Sequence, residues 1–348
     1  MEIFDAHTHI GANDPDGHSQ TVDELLRALA EAHADGCFVF AMHEPNGYRK
    51  ANDAVLAAAR AHPDVLVPFV RVDPWSEPLA EAVRCLDLGA RGIKLHPRAE
   101  RFTLDHPSLA DLFAVAGERR VPVLIHAGRG IAAPGAEIVK LVQRFPATRV
   151  ILAHAGAADL SWIWRAAREL PNLLFDSSWW YPADLRALYS LVPPGQILFA
   201  SDVPYGHSAL AAVCQARVAL SAGLSEEQMA LIFAGQARRI AAGEPLAVAG
   251  PAVGEREQAP HVLLDRIADM LSSAIAMAFR EVDYSEPLTL AALACKLPED
   301  HDDAPVAAAV AKLIGTATPD RAGIHQLMLA MTIARTPDVP LQRFGHIS

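Results

Sequence analysis

Val123-Leu124-Ile125-His126-Ala127-Gly128 and Ile151-Leu152-Ala153-His154-Ala155-Gly156 are near copies of one another: an apolar run of strand length, then a histidine, then two small residues. With a segment of helical spacing between them, they read as neighbouring parallel strands joined by an outer helix. The same rhythm extends in both directions. Strands are expected at Glu2 to Ala6, Cys37 to Met42, Leu66 to Val70, Arg91 to Leu95, Pro122 to Ile125, Arg149 to Ala153, Asn172 to Phe175 and Gln196 to Ala200. Thr21-Val22-Asp23-Glu24 has the form of a capping box, while Ala61-His62-Pro63 and Leu170-Pro171-Asn172 close helices ahead of a strand. Eight such units within about 245 residues match a (β/α)₈ TIM barrel. A doubly wound open sheet would carry a Gly-rich phosphate turn after its first strand, and none is present.

Beyond Gly243 the texture changes. Pro245, Gly250, Pro251, Gly254 and Pro260 mark a linker, and no β-rich run follows. Leu263, Ile267, Leu271, Ile275 and Phe279 recur every fourth position, with further helical patterns from Leu288 to Leu297, Val306 to Ile314 and Gly323 to Ala334. The expected organisation is a barrel over 1–245 and a linker with a helical C-terminal domain over 246–348. That helical region must bury its apolar stripe on itself, on the barrel or on a second copy, so a homodimer is one outcome.

The chain has 348 residues, and its 41 acidic and 30 basic side chains give a net charge of -11, a poor field for polyphosphate or an anionic membrane face. Nucleic acid and membrane are therefore not expected partners; a small molecule is. Met1-Glu2-Ile3-Phe4-Asp5 lacks the basic flank and apolar stretch of a secretory signal, and no run approaches the roughly 20 apolar residues of a spanning helix. A cytoplasmic protein is expected. Cys37, Cys85, Cys214 and Cys295 are scattered and form no C-x-x-C pair, so they read as reduced, buried thiols.

In a barrel of this kind the residues that end the strands form the functional face. The first strand runs into His7-Thr8-His9, two imidazoles on one side of the chain, with Asp5 expected on the same face one step deeper. The fourth ends Ile93-Lys94-Leu95-His96-Pro97, the fifth in His126, the sixth in His154 and the eighth in Ala200-Ser201-Asp202-Val203-Pro204. A single histidine after a strand is ordinarily structural, and Asp-x-Pro is ordinarily a turn. Four of these histidines together with the aspartate, each ending an apolar strand in barrel register, point instead to a metal centre. Imidazole with carboxylate and no thiolate suits zinc, then iron, manganese or nickel. A bound zinc lowers the pKa of its water to about 7, and Asp202 would accept the proton and pass it to the leaving group.

Around that centre, Arg129 after the fifth strand and Arg98 after the fourth could pair with a substrate carboxylate. Trp179, Trp180 and Tyr181 after the seventh strand, with Tyr205 and His207 after the eighth, could wall a pocket. His43, Glu44, Asn46, Tyr48, Asp73 and Trp75 also lie on the expected rim, without a diagnostic spacing.

H-x-H, I-K-L-H-P, I-H-A-G, A-H-A-G and S-D-x-P, in this order, resemble the amidohydrolase superfamily. Gly89-Ala90-Arg91-Gly92-Ile93-Lys94-Leu95-His96-Pro97 and Phe199-Ala200-Ser201-Asp202-Val203-Pro204-Tyr205-Gly206 look like its amidohydrolase-2 (amidohydrolase-related) branch. The resemblance covers about residues 1 to 245 and does not reach the tail. It implies that His7, His9, His126 and Asp202 bind the metal, with His154 either a ligand to a second ion or a catalytic base and hydrogen-bond donor. Two-ion members bridge their metals with a carboxylated lysine at the place of Lys94; one-ion members use His154 catalytically. A bare ammonium beside a divalent cation is repelled, so Lys94 must be carbamylated, deprotonated or turned away. The expected activity is hydrolysis of an amide, lactone or ester in a small molecule. The alternatives are metal-dependent non-oxidative decarboxylation of an aromatic or unsaturated acid, and a non-catalytic metal-binding scaffold.

Overall fold

The computed structural model describes residues 1–128, 131–256 and 259–341. Nine parallel strands fill the eight expected places: β1 (Phe4–Ile10), β2 (Gly36–Ala41), β3 (Leu66–Pro68), β4 (Val70–Arg71), β5 (Ile93–Leu95), β6 (Pro122–Ile125), β7 (Arg149–Leu152), β8 (Leu173–Asp176) and β9 (Ile197–Leu198). The third expected strand is split into β3 and β4 because Pro68 brings no N–H to the ladder. Pairing runs β1-β2-β3 and β4 through β9 in sequence order. Phe69 N–H to the Val39 carbonyl joins the two runs, and Ala6 N–H to Phe199 with His9 N–H to Val203 closes the ring. The result is an α/β TIM barrel.

Phe4, Ala6, Phe38, Phe40, Phe69, Leu124, Ile151, Leu174 and Leu198 fill its interior. Cys37, Val39, Ala41 and Leu66 face outward onto Leu25, Leu29, Val55 and Ala59 of the helices Val22–Glu31 and Arg49–Ala61. Both halves of the Thr21 capping box form, Glu24 N–H to Thr21 Oγ1 and Thr21 N–H to Glu24, which starts the first helix where the sequence placed it. Gly92 admits Phe69 to the interior: a Cβ there would come within 2.4 Å of the phenyl ring.

Two compact units divide the chain. The first comprises Met1–Trp179, Ala187–Ala212 and Ser225–Gly254 and holds the whole barrel sheet; the second comprises Trp180–Arg186, Val213–Leu224 and Glu255–Ser348. Within the second, the helix Val262–Ala278 packs on Ser285–Ala294 and on Arg321–Arg335, which also packs on Ala304–Thr316. Leu264, Ile267, Leu271 and Ile275 are buried, whereas Phe279 is 44% exposed. A strict four-residue repeat advances about 40° per step around a helix of 3.6 residues per turn, so its ends leave the buried face. No helix among the described residues is long and apolar enough to cross a membrane.

Candidate metal centre

The first strand carries the decisive irregularity. Phe4 and Asp5 pair with Gly36 and Cys37, but Thr8 pairs with Val39, so β1 has one residue more than β2 between these points. This β-bulge inverts the alternation. After it, His7 and His9 face the interior beside Phe40, at ring distances of 5.1 and 4.5 Å. Asp5, expected on the same face, turns away: its carboxylate accepts from Ser201 N–H at 2.9 Å and Ser201 Oγ at 2.5 Å. Burial pushes its pKa up to about 7 against those hydrogen bonds.

Asp202 is the hub. Its Oδ1 lies 3.1 Å from His7 Nε2 and 3.0 Å from His9 Nε2, and its Oδ2 4.0 Å from His154 Nδ1. His7, His154 and Asp202 offer ligand atoms all within 4.8 Å of one another. Asp202 and His154 both have left-handed backbones, φ 60° and 58°, a cost that non-glycine residues carry at positions where side-chain aim is fixed by the surroundings. Gly206 N–H closes on the Asp202 carbonyl at 2.8 Å, and a Cβ on Gly206 would overlap the Ser201 carbonyl oxygen.

His7 Nδ1 bonds Asp176 Oδ2 at 2.7 Å, which leaves Nε2 facing the centre. Asp176, the last residue of β8, was not singled out in the sequence; its signal is a charged residue closing an apolar strand, Leu173-Leu174-Phe175-Asp176. Burial opposes its charge, yet His7 and Ser178 hold its carboxyl far below the usual range. His154 Nδ1 lies 3.0 Å from the Ser178 carbonyl and its Nε2 2.9 Å from His126 Nδ1. Taking Nδ1 of His154 as the donor to the carbonyl makes His126 Nδ1–H the donor to His154 Nε2, so Nε2 of His126 keeps a lone pair. Gly128 holds these rings together: a Cβ there would stand 2.7 Å from His154 Cδ2 and 3.1 Å from His126 Cε1.

Lys94 is not turned away. Its Nζ lies 3.2 Å from His7 Nε2 and 4.7 Å over the Phe40 ring, and burial lowers its pKa to about 7 against the pull of Asp202 and Asp176. Burial and the Lys94 charge likewise lower His7 to about 4 and His9 well below its usual value. Neutral imidazole is the metal-binding form, so the donor set fits a divalent ion.

The expected substrate residues are dispersed. Trp179 stands in the first unit, its ring 6.3 Å from His154. Tyr181 belongs to the second unit, stacked edge-on at 5.5 Å to Trp180, which meets Phe279 at 5.5 Å. His207 Nδ1 accepts Leu210 N–H at 3.3 Å in its own helical turn. Arg129 lies outside the described residues. Tyr205 stands edge-on to His9 at 5.2 Å and donates to Asp14 at 2.9 Å.

A feature the sequence did not signal is a buried ion pair. Arg71, paired in register with Lys94, gives Nη2 to Glu100 Oε1 at 2.8 Å, and Tyr48 donates to the same oxygen. Arg71 and Glu100 come from different strand ends, so only folding reveals the pair.

Residues 4–240 match the Amidohydro_2 family model, described as amidohydrolase. The chain belongs to the amidohydrolase family. Among curated proteins the sequence finds no match. Several solved structures share the fold. An uncharacterised TIM-barrel protein from Bordetella bronchiseptica is 19% identical at a TM-score of 0.57, the match covering 70% of this chain and 99% of that one. A 5-carboxyvanillate decarboxylase from Sphingomonas paucimobilis is 17% identical at 0.54, covering 69% and 98%. A probable 2-pyrone-4,6-dicarboxylic acid hydrolase from Acinetobacter baumannii, with citric acid bound, is 16% identical at 0.53, covering 70% and 100%. Amidohydrolases are metal-dependent enzymes, and the His7, His154 and Asp202 group is a possible seat for the ion in this one.

Proposed function

We propose that this amidohydrolase hydrolyses an amide, lactone or ester bond of a small molecule, using one zinc ion held by His7, His9, His126 and Asp202. The observation that carries this is the convergence of His7 and His9 Nε2 on one oxygen of Asp202, with the other oxygen toward His154. Zinc, when bound, supplies a Lewis acid and lowers the pKa of water to about 7. Asp202 takes the proton and passes it to the leaving group, while His154, whose ring nitrogens meet Ser178 and His126, acts on the substrate by exchanging one of those two contacts for it. The two hydrogen bonds on His154 favour one ion over two; a second ion would need that ring released and Lys94 carboxylated. A cytoplasmic location and a homodimer complete the reading.

The test is to strip the full chain, reload it with zinc or manganese, count metal per chain, and screen esters, lactones, amides and aromatic acids. Acid or amine release is expected. Carbon dioxide release would make the chain a decarboxylase. Metal uptake with no turnover of any class, unaltered in Asp202→Asn, would leave a scaffold, and failure to take up metal would end the proposal.

A further inference from the structure

One strand-end histidine is left over. His96 closes β5, and its ring lies parallel on that of His126, centroids 3.9 Å apart and planes 13° from parallel. Its Nδ1 accepts the backbone N–H of Ala99 at 3.3 Å, and the same N–H reaches the His96 carbonyl at 3.0 Å. The ring is thus tied to its own turn. A ring nitrogen that accepts a backbone N–H carries no proton, so the imidazole proton resides on Nε2. Nε2 forms no hydrogen bond with a described residue, and the ring as a whole lies against His126. The residue is intermediate in exposure, between the buried Leu95 and the exposed Arg98.

We infer that His96 is a further substrate-binding residue, which donates its Nε2–H to a substrate oxygen: a carboxylate, or the carbonyl oxygen that gains negative charge during hydrolysis. The identity of that oxygen rests on the hydrolytic reading above; the tautomer and the stack do not. A donor fixed before the substrate arrives costs no reorganisation when charge develops, which is the property of an oxyanion-stabilising group.

Two variants separate donation from packing. His96→Phe keeps a flat ring against His126 and has no donor; His96→Gln loses the ring and retains an amide N–H close to the place of Nε2. With benzoate titrated calorimetrically into the zinc-loaded full chain, affinity should fall about 10-fold or more in His96→Phe and stay within about 3-fold in His96→Gln. Zinc content should be the same in both. Equal loss in the two variants, no loss in His96→Phe, or no benzoate binding by the unaltered chain overturns the inference. Should either variant misfold, nitrogen-15 spectra of the unaltered chain decide: a proton on Nδ1 of His96 overturns the inference, and one on Nε2 supports it. Failure of the unaltered chain to bind zinc, by contrast, is a failure of the hydrolase reading and leaves the spectra to judge His96.

Discussion

At the scale of single residues, small side chains in this centre matter as much as the residues proposed as ligands. Gly128→Ala would drive a methyl into His154 and His126. Overpacking of this kind costs about 1 to 3 kcal/mol in stability, but the larger effect falls on the metal, because both rings must move. Zinc affinity should drop by about 10- to 100-fold, measured by competition with a chelator, the range expected when outer-shell support is lost. Near wild-type affinity would show that the rings are not held by that contact. Asp176→Asn tests the opposite kind of support. It preserves volume yet removes the charge 2.7 Å from His7 Nδ1, and zinc affinity should again fall about 10- to 100-fold; the thermal midpoint should fall too, because a carboxyl held this far below its usual range contributes stability to the fold. That His7, His9, Lys94, His126, His154 and Asp202 lie at or just after strand ends was legible in the sequence because each closes an apolar run. Asp176 was passed over: a carboxylate closing a strand is ambiguous until its partner, a histidine from the first strand, is known.

Strand ends and their loops form the next scale. The Arg71–Glu100 pair links the end of β4 to the loop after β5, both side chains nearly inaccessible. Burial alone would raise Glu100, but Arg71, His43 and Tyr48 hold its carboxyl below its ordinary value of 4.5. A depressed carboxyl contributes stability that is complete above the unfolded value and fades as pH falls through the folded one. The urea midpoint should therefore decline between about pH 5 and pH 3, and less steeply in the Arg71→Met, Glu100→Leu double variant. Removing Glu100 alone should cost about 3 to 5 kcal/mol, since it leaves a buried guanidinium uncompensated. A parallel decline in wild type and double variant would remove the pair from the acid transition. The bulge in β1 belongs to this scale as well. Alternation along the sequence assigns Asp5, His7 and His9 to one face; the extra residue between Asp5 and Thr8, visible only against β2, sends Asp5 to Ser201 instead. Likewise the two His-Ala-Gly turns look identical in sequence, yet His154, Ala155 and Gly156 are all left-handed and His126, Ala127 and Gly128 are not.

For the molecule as a whole, the second compact unit takes Val213–Leu224 and the tail together. There Arg217 donates to the Thr336 and Val339 carbonyls at 2.9 and 3.0 Å, and Ser221 to Asp338 at 2.7 Å. A chain ending at Gly254 leaves the nearly inaccessible Arg217 and its apolar neighbours Val218 and Ala222 without those partners. It should aggregate or lose its cooperative melt, as size-exclusion chromatography and circular dichroism would show; a monomeric, cooperatively folding product would refute this. The sequence by itself determined the alternation of strands and helices, the helical tail, and the histidines and aspartate that end strands, because hydrophobic periodicity and strand-end position are local properties. Tertiary structure alone decided which side each residue faces after a bulge, which carboxylate orients His7, how Arg71 finds Glu100, and which internal helix keeps company with the tail. Those depend on pairing between segments far apart in the chain, and no local pattern encodes the partner.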